Sequence, residues 1–353
     1  MTTAAATTSP VVTKLRAWLF RWDTLLGFLV IVVLIGAAAT TPGFTAQSNI
    51  ADSISLMSEK ALMVLPLVLL IIAREIDISV ASMAGLAACV AGMVLRAGQP
   101  VIVAVIAAVL VGLLCGAFNG FCVTVLGMPS LVVTLGTLAL YRGLCYVLLH
   151  GTPVSTIPTS LLNLGSQNLP GLPIPQDIIP FLVLAPIFAI TLHGLPTGRR
   201  IFAIGGNPDT ARYAGVRSNK IRFGLFIVSG LVCSIAGIIN IGRTSSASPD
   251  GLLGYELDAI TVVFLGGVSV LGGKGRMTGV LWALTLLIAL RSALQLHNVA
   301  AYAQGTAVGV LLIFSLLISN VARLLATQLR NRRQSRLRRS QPEAVLREVG
   351  AIT

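Results

Sequence analysis

The chain is expected to fold as an all-α polytopic membrane protein of about ten transmembrane helices, and three observations carry that expectation. Of its 353 residues 55% are apolar and only 10% are charged, with a mean hydropathy of +0.90, a balance that no water-soluble core of this size needs. The apolar residues come in runs near the roughly 20 residues that a helix needs to cross a bilayer. The basic residues gather in segments that one face of such a bundle would present.

Taken in order, the first twenty residues lack the apolar block and small-residue cleavage site of a removable signal, so Asp23 to Thr40 reads as a retained first span. Further candidate spans lie near 58–73, 77–95, 101–126, 130–149, 178–193, 222–242, 255–271, 277–296 and 303–320, several shortened or interrupted by Pro66, Pro129, Pro186 or paired glycines. An even count puts both termini on one side. With the N-terminus in the cytoplasm, Lys14, Arg16, Arg21, Arg74, six cations of 198–223, Lys274, Arg276 and eight arginines from Arg323 onward are cytoplasmic, 20 of the 25 Lys and Arg. The chain thus divides into a cytoplasmic segment 1–22, a transmembrane domain 23–320 and a basic cytoplasmic tail 321–353. The net charge of +13 follows from topology, and nucleic acid is not an expected partner. The tail sequence Arg330–Arg339 has no aromatic interleaving and faces either anionic membrane lipid or a partner protein.

Between two apolar runs stands a polar island, Gly198 to Phe223. It carries a legible helix start: Asn207 as N-cap, Pro208 at the first helical position, Asp209 in the first turn and Gly215 as the stop. Such a short exposed helix is presented to something in the water, and in a transport protein the candidate is a soluble motor subunit. On the far side the loop His150–Asp177 is either a docking ledge for an extracytoplasmic protein or a plain connection.

Within the apolar runs, Gly112, Gly116 and Gly120 line one helix stripe, for packing inside the chain or against another subunit. Asn119 beside them must find a partner at membrane depth or face a wet path. Glu75-Ile-Asp77 and Glu256-Leu-Asp258 open two spans five apart, each with a glycine eight residues after the Asp (Gly85, Gly266), an echo that suggests inverted repeats. Their acids either cap helices or line the translocation path. Arg142 and Arg291 inside apolar runs face a polar path, meet a buried partner, or mark misplaced helix edges.

Some chemistry is excluded. Gly266–Arg276 lacks the Walker spacing, since Val268 stands where the first glycine belongs and Gly275 where Ser or Thr follows the lysine, so the chain is not expected to bind ATP. His150, His193 and His297 have no ligand or triad spacing, and Cys89, Cys115, Cys122, Cys145 and Cys233 read as buried thiols. No catalytic residue, metal or cofactor is expected on this chain.

The sequences Glu75–Ser82, Asn119–Gly143, Ala203–Val216 and Val263–Gly275 together resemble the permease family of ABC importers for monosaccharides, which includes ribose, xylose, rhamnose and autoinducer-2 systems. The similarity is collinear from about residue 25 to 320. It implies a helical permease resembling the vitamin B12 importer fold, in the bacterial inner membrane. It also implies a second permease copy or sister permease, a cytoplasmic ATPase carrying ATP and Mg, and a periplasmic sugar-binding protein. The island then matches the family's coupling helix, with Asn207, Asp209, Ala211, Arg212, Ala214 and Gly215 as the contact to the ATPase. Sparse polar residues, Asn119, Thr134 and Thr137 with Asp77 and Asp258, would line the sugar path. Where many members have Gly-Gly and a further Gly, this chain has Arg74-Glu75 and Ala81, closer to the rhamnose-type branch. An ion-coupled secondary transporter is the competing reading. It should carry buried mid-membrane acids, whereas the acids recognised here sit at segment ends.

Overall fold

The computed structural model describes residues 21–300, 302–314 and 317. The expected N-terminal segment before Arg21 and the basic tail 321–353 lie outside the described residues. The helices are α1 (Trp22–Thr40), α2 (Gln47–Ile72), α3 (Val80–Arg96), α4 (Val101–Thr124), α5 (Ser130–Leu149), α6 (Thr159–Ser166), α7 (Ile179–His193), α8 (Pro196–Gly206), α9 (Pro208–Tyr213), α10 (Ser218–Thr244), α11 (Tyr255–Leu265), α12 (Met277–Leu296) and α13 (Tyr302–Phe314).

Each of the ten expected spans meets a helix, but only seven segments among the described residues are long and apolar enough to cross a membrane. These are α1, α2, α4, α5, α7 with the 3₁₀ turn before it, α10 and α12. The expectation of ten full spans is corrected at α3 and α11, and the end of the expected 303–320 span lies outside the described residues. The reason is local. Before α3 the chain leaves the helix at Arg74, whose φ is +68°, and Asp77 accepts the Ser79 N–H at 3.0 Å. Before α11, residues 245–254 are irregular, and after it Gly267 (φ +84°) stops the helix, so the 255–271 run is only 11 residues of helix. Pro66 and Pro186, by contrast, lie inside unbroken helices, as neighbouring helices in lipid permit.

Helices α2 and α10, of 26 and 27 residues, form the centre with α3. At 1.5 Å per residue each rises about 40 Å, more than a hydrocarbon core. Helices α1, α4, α5 and α7 surround them and turn apolar side chains such as Phe28, Leu114, Val147 and Val183 outward, as lipid contact demands. The glycine stripe resolves as packing inside the chain. A Cβ at Gly112 would meet the Gly230 carbonyl and one at Gly116 the Phe226 carbonyl, so α4 and α10 touch backbone to backbone.

Halves of the bundle interlock: α10 packs on α3 and α2 packs on α11. The two short helices have irregular lead-ins at opposite faces, residues 73–79 at the face that carries α8 and α9, and residues 245–254 at the other. This is the relation an inverted repeat produces. The long loop 150–178 is tied down, not free: Val154 and Ala247 exchange backbone hydrogen bonds at 2.9 Å, and α6 packs on α10.

Candidate functional site

The polar island folds as its sequence dictates. The Asn207 side-chain oxygen accepts from the N–H groups of Asp209 and Thr210, both at 3.1 Å, Pro208 opens α9, and Gly215 closes it with φ +78°. Of the six expected contact residues, Asn207, Asp209, Arg212, Ala214 and Gly215 are exposed, whereas Ala211 is 3% exposed and packs inward. Tyr213, outside the expected set, is 92% exposed. Behind α9, the island is seated on the membrane domain: Gly205 of α8 lies against Ile72 at the end of α2, and the Gly273 N–H donates to the Ile72 carbonyl at 2.8 Å. The glycine-rich 266–276 segment is thus a packing turn. Arg222, at the start of α10, pairs with Glu75 at 3.1 Å. Burial pushes the Glu75 carboxyl up from its ordinary range, opposed by Ser130 and by the Arg222 charge.

Four of the five expected path residues gather in one buried network around the lead-in to α3. Asp77 accepts from the Ser79 hydroxyl (2.6 Å) and from Ser229 of α10 (3.2 Å). Asn119 donates to the Ser79 oxygen at 2.8 Å and accepts from the Tyr141 hydroxyl at 3.1 Å. Thr134 donates to the Ile76 carbonyl at 3.1 Å and Thr137 to the Thr134 carbonyl at 3.4 Å. All four are buried, so Asn119 finds its partners within the protein.

Asp258 stands apart. One of its oxygens lies 2.9 Å from Lys60 of α2, and Nη2 of Arg291 on α12 is 2.7 Å from both. The Lys60 ammonium also sits 4.2 Å above the Tyr255 ring. Next to it Glu59 accepts from Arg243 at 2.7 Å and Asn240 at 3.1 Å, and Arg243 reaches the Tyr255 hydroxyl at 3.2 Å. Lys60 is near the midpoint of α2, which sets this lattice at mid-depth of the bundle. It borders a cavity of about 370 Å³ between α11 and α13. Glu59, Lys60 and Arg243 lie outside the expected set, and their signal in the sequence is a charge inside a long apolar helix. Glu59 also corrects the expectation that the acids keep to segment ends.

The other intramembrane arginine has a partner too. Arg142 of α5 donates to the carbonyls of Pro249 and Gly251, both at 2.7 Å, clamping the irregular lead-in to α11. All five cysteines are buried and free of disulfides. Among the described residues no group of three or more His, Cys, Asp or Glu is placed to hold a metal.

A multi-helix membrane domain with broken helices, a polar lattice at mid-depth and a capped helix projecting from one face defines a membrane transport permease, a transport subunit and not an enzyme. The chain belongs to the family of branched-chain amino acid transport system permease components, which matches residues 49–318. It is 34% identical over 309 residues to the ribose import permease protein of Escherichia coli, covering 86% of this chain and 95% of that one. Its identity to the ribose import permease protein of Bacillus subtilis is 31% over 296 residues, 83% and 90% of the two chains. With the autoinducer 2 import system permease protein of Yersinia pseudotuberculosis it shares 35% over 281 residues, 79% of this chain and 78% of that one. No solved structure matches the chain, so the likeness to the vitamin B12 importer rests on the resemblance alone.

Proposed function

We propose that this chain is the membrane-spanning subunit of an ATP-driven importer for a monosaccharide, set in the bacterial inner membrane with both termini cytoplasmic. A second permease copy or sister permease, a cytoplasmic ATPase and a periplasmic sugar-binding protein complete the system. The observation that carries this reading is α9, a capped and solvent-exposed helix whose base rests on α2 and the 266–276 turn. A helix so held passes force instead of absorbing it. Asn207, Asp209, Arg212, Ala214 and Gly215 form the ATPase contact, Tyr213 anchors it, and Ala211 fixes the helix to its seat. ATP binding draws the partner ATPases together, α9 follows, and the motion reaches the α3 lead-in through Arg222 and Glu75, opening the path to alternate faces. Asp258 borders the solute path. Asp77, Asn119 and Thr134 set its wall by holding α3, α4, α5 and α10 together, with Thr137 buried beside Thr134 on α5. The relatives import ribose and autoinducer 2, which supports a small sugar and gives rhamnose no particular favour.

One observation favours the ion-coupled reading: Glu59 and Asp258 are buried acids at mid-depth. Each is locked in an ion pair with an arginine, Glu59 with Arg243 and Asp258 with Arg291, the arrangement of a structural lattice. Copurification with the cognate ATPase tests the proposal. Wild type should retain the ATPase and import sugar only with ATP, and Gly215→Arg should lose both. Normal assembly and transport by the variant, or import driven by an ion gradient without ATP, would refute it.

A further inference from the structure

The cavity beside Asp258 has the features of a solute site rather than of a packing defect. Its wall is polar where three charges meet: Lys60, Asp258 and Arg291, all held by mutual contacts of 2.7–2.9 Å. Burying such a set at membrane depth costs several kcal/mol per ion before pairing, and an apolar set of similar volume would hold α2, α11 and α12 at least as well. The lattice is also incomplete. The Nε atom of Arg291 is buried and has no hydrogen-bond partner, so the guanidinium is not fully satisfied by the protein. Thr261 donates its proton to the Leu257 carbonyl at 2.7 Å, so its oxygen remains an acceptor on the same wall.

The opposite wall is kept open. Gly305 and Gly309 of α13 line the cavity, and a Cβ built on either meets nothing within 4 Å. An alanine methyl would fit there without strain against the described residues, so helix packing does not require glycine at these positions. The cavity of about 370 Å³ lies at the small end of the ~300–1,000 Å³ range of small-molecule pockets.

The geometry points to a binding site for one neutral, monosaccharide-sized polyol, with Lys60, Asp258 and Arg291 as its polar wall and Gly305 and Gly309 as its floor. A hydroxyl both accepts and donates. One can accept from the partly exposed Arg291 guanidinium while its neighbour donates to the Asp258 carboxylate, a pairing that a vicinal diol satisfies and a hydrocarbon does not. The wall carries one carboxylate against two cations, so a carboxylated or phosphorylated solute is the competing ligand. The site rests on the importer reading, as a station that the solute occupies on its way through the membrane.

The test uses the full chain purified in detergent, probed by saturation-transfer NMR with D-ribose, D-xylose, L-rhamnose and D-ribose 5-phosphate. At least one neutral sugar should give a transfer signal that Gly309→Leu abolishes and Gly36→Leu preserves, Gly36 being an equally uncrowded glycine on α1. With the cognate ATPase and binding protein reconstituted in vesicles, Gly309→Leu should cut sugar uptake at least tenfold while the ATPase still copurifies. A neutral-sugar signal that survives Gly309→Leu would overturn the site, as would a signal from the phosphate ester alone or none from any neutral sugar. Loss of ATPase copurification in wild type would instead strike the importer reading and leave the binding result standing.

Discussion

Asp258 takes Lys60 from α2 and Arg291 from α12, so a single carboxylate is the ion-pair partner of cations on two other helices. Removing it strands two cations in apolar surroundings, which costs more than any one of the contacts contributes. Asp258→Asn is therefore expected to destabilise the chain by about 3–5 kcal/mol. Asp209→Asn, at an exposed position on α9, should stay within about 0.5 kcal/mol. Thermal unfolding of both variants in detergent checks the contrast, and equal midpoints would remove Asp258 from the lattice. The sequence flags Asp258 and Arg291 separately, each as a charge in an apolar run. Their separation of 33 residues carries no periodic signal that would join them.

At the level of elements, α4 and α10 owe their close approach to glycines whose place a side chain cannot take. A Cβ on Gly116 would fall 3.1 Å from the Ile227 Cα and closer still to the Phe226 carbonyl. Gly116→Leu should force the helices apart at a cost of about 1–3 kcal/mol or more, whereas Gly36→Leu, with nothing within 4 Å, should be tolerated. Yield of folded protein and detergent melting temperature distinguish the two, and a Gly116→Leu protein as stable as wild type would contradict the packing. The small-residue stripe itself is plain in the sequence because its four-residue spacing is local. Its partner is not: nothing along residues 112–120 indicates that Gly230 and Phe226 lie opposite.

For the whole molecule, the proposed orientation puts α9 on the cytoplasmic face and the turn between α3 and α4 on the other. Thr210→Cys, exposed on α9, should react with a membrane-impermeant maleimide only when the cytoplasmic face is opened. Gln99→Cys, exposed between α3 and α4, should react in intact cells. The five native cysteines are buried and give a low background. Labelling of both sites from the same side would overturn the topology.

The amino-acid sequence alone determined the membrane class, the position of the apolar helices and the capped helix at Asn207–Gly215, because hydropathy, N-capping and helix stops act within a few residues. Only the tertiary structure decided that α3 and α11 are short helices with irregular lead-ins, and that Asn119 is satisfied within the protein. It likewise decided that Arg142 holds the 245–254 segment and that Glu59 and Lys60 belong to the polar lattice. Charge pairing inside a membrane depends on the rotation and depth of helices far apart in the chain. Those are fixed by packing, and no local pattern encodes them.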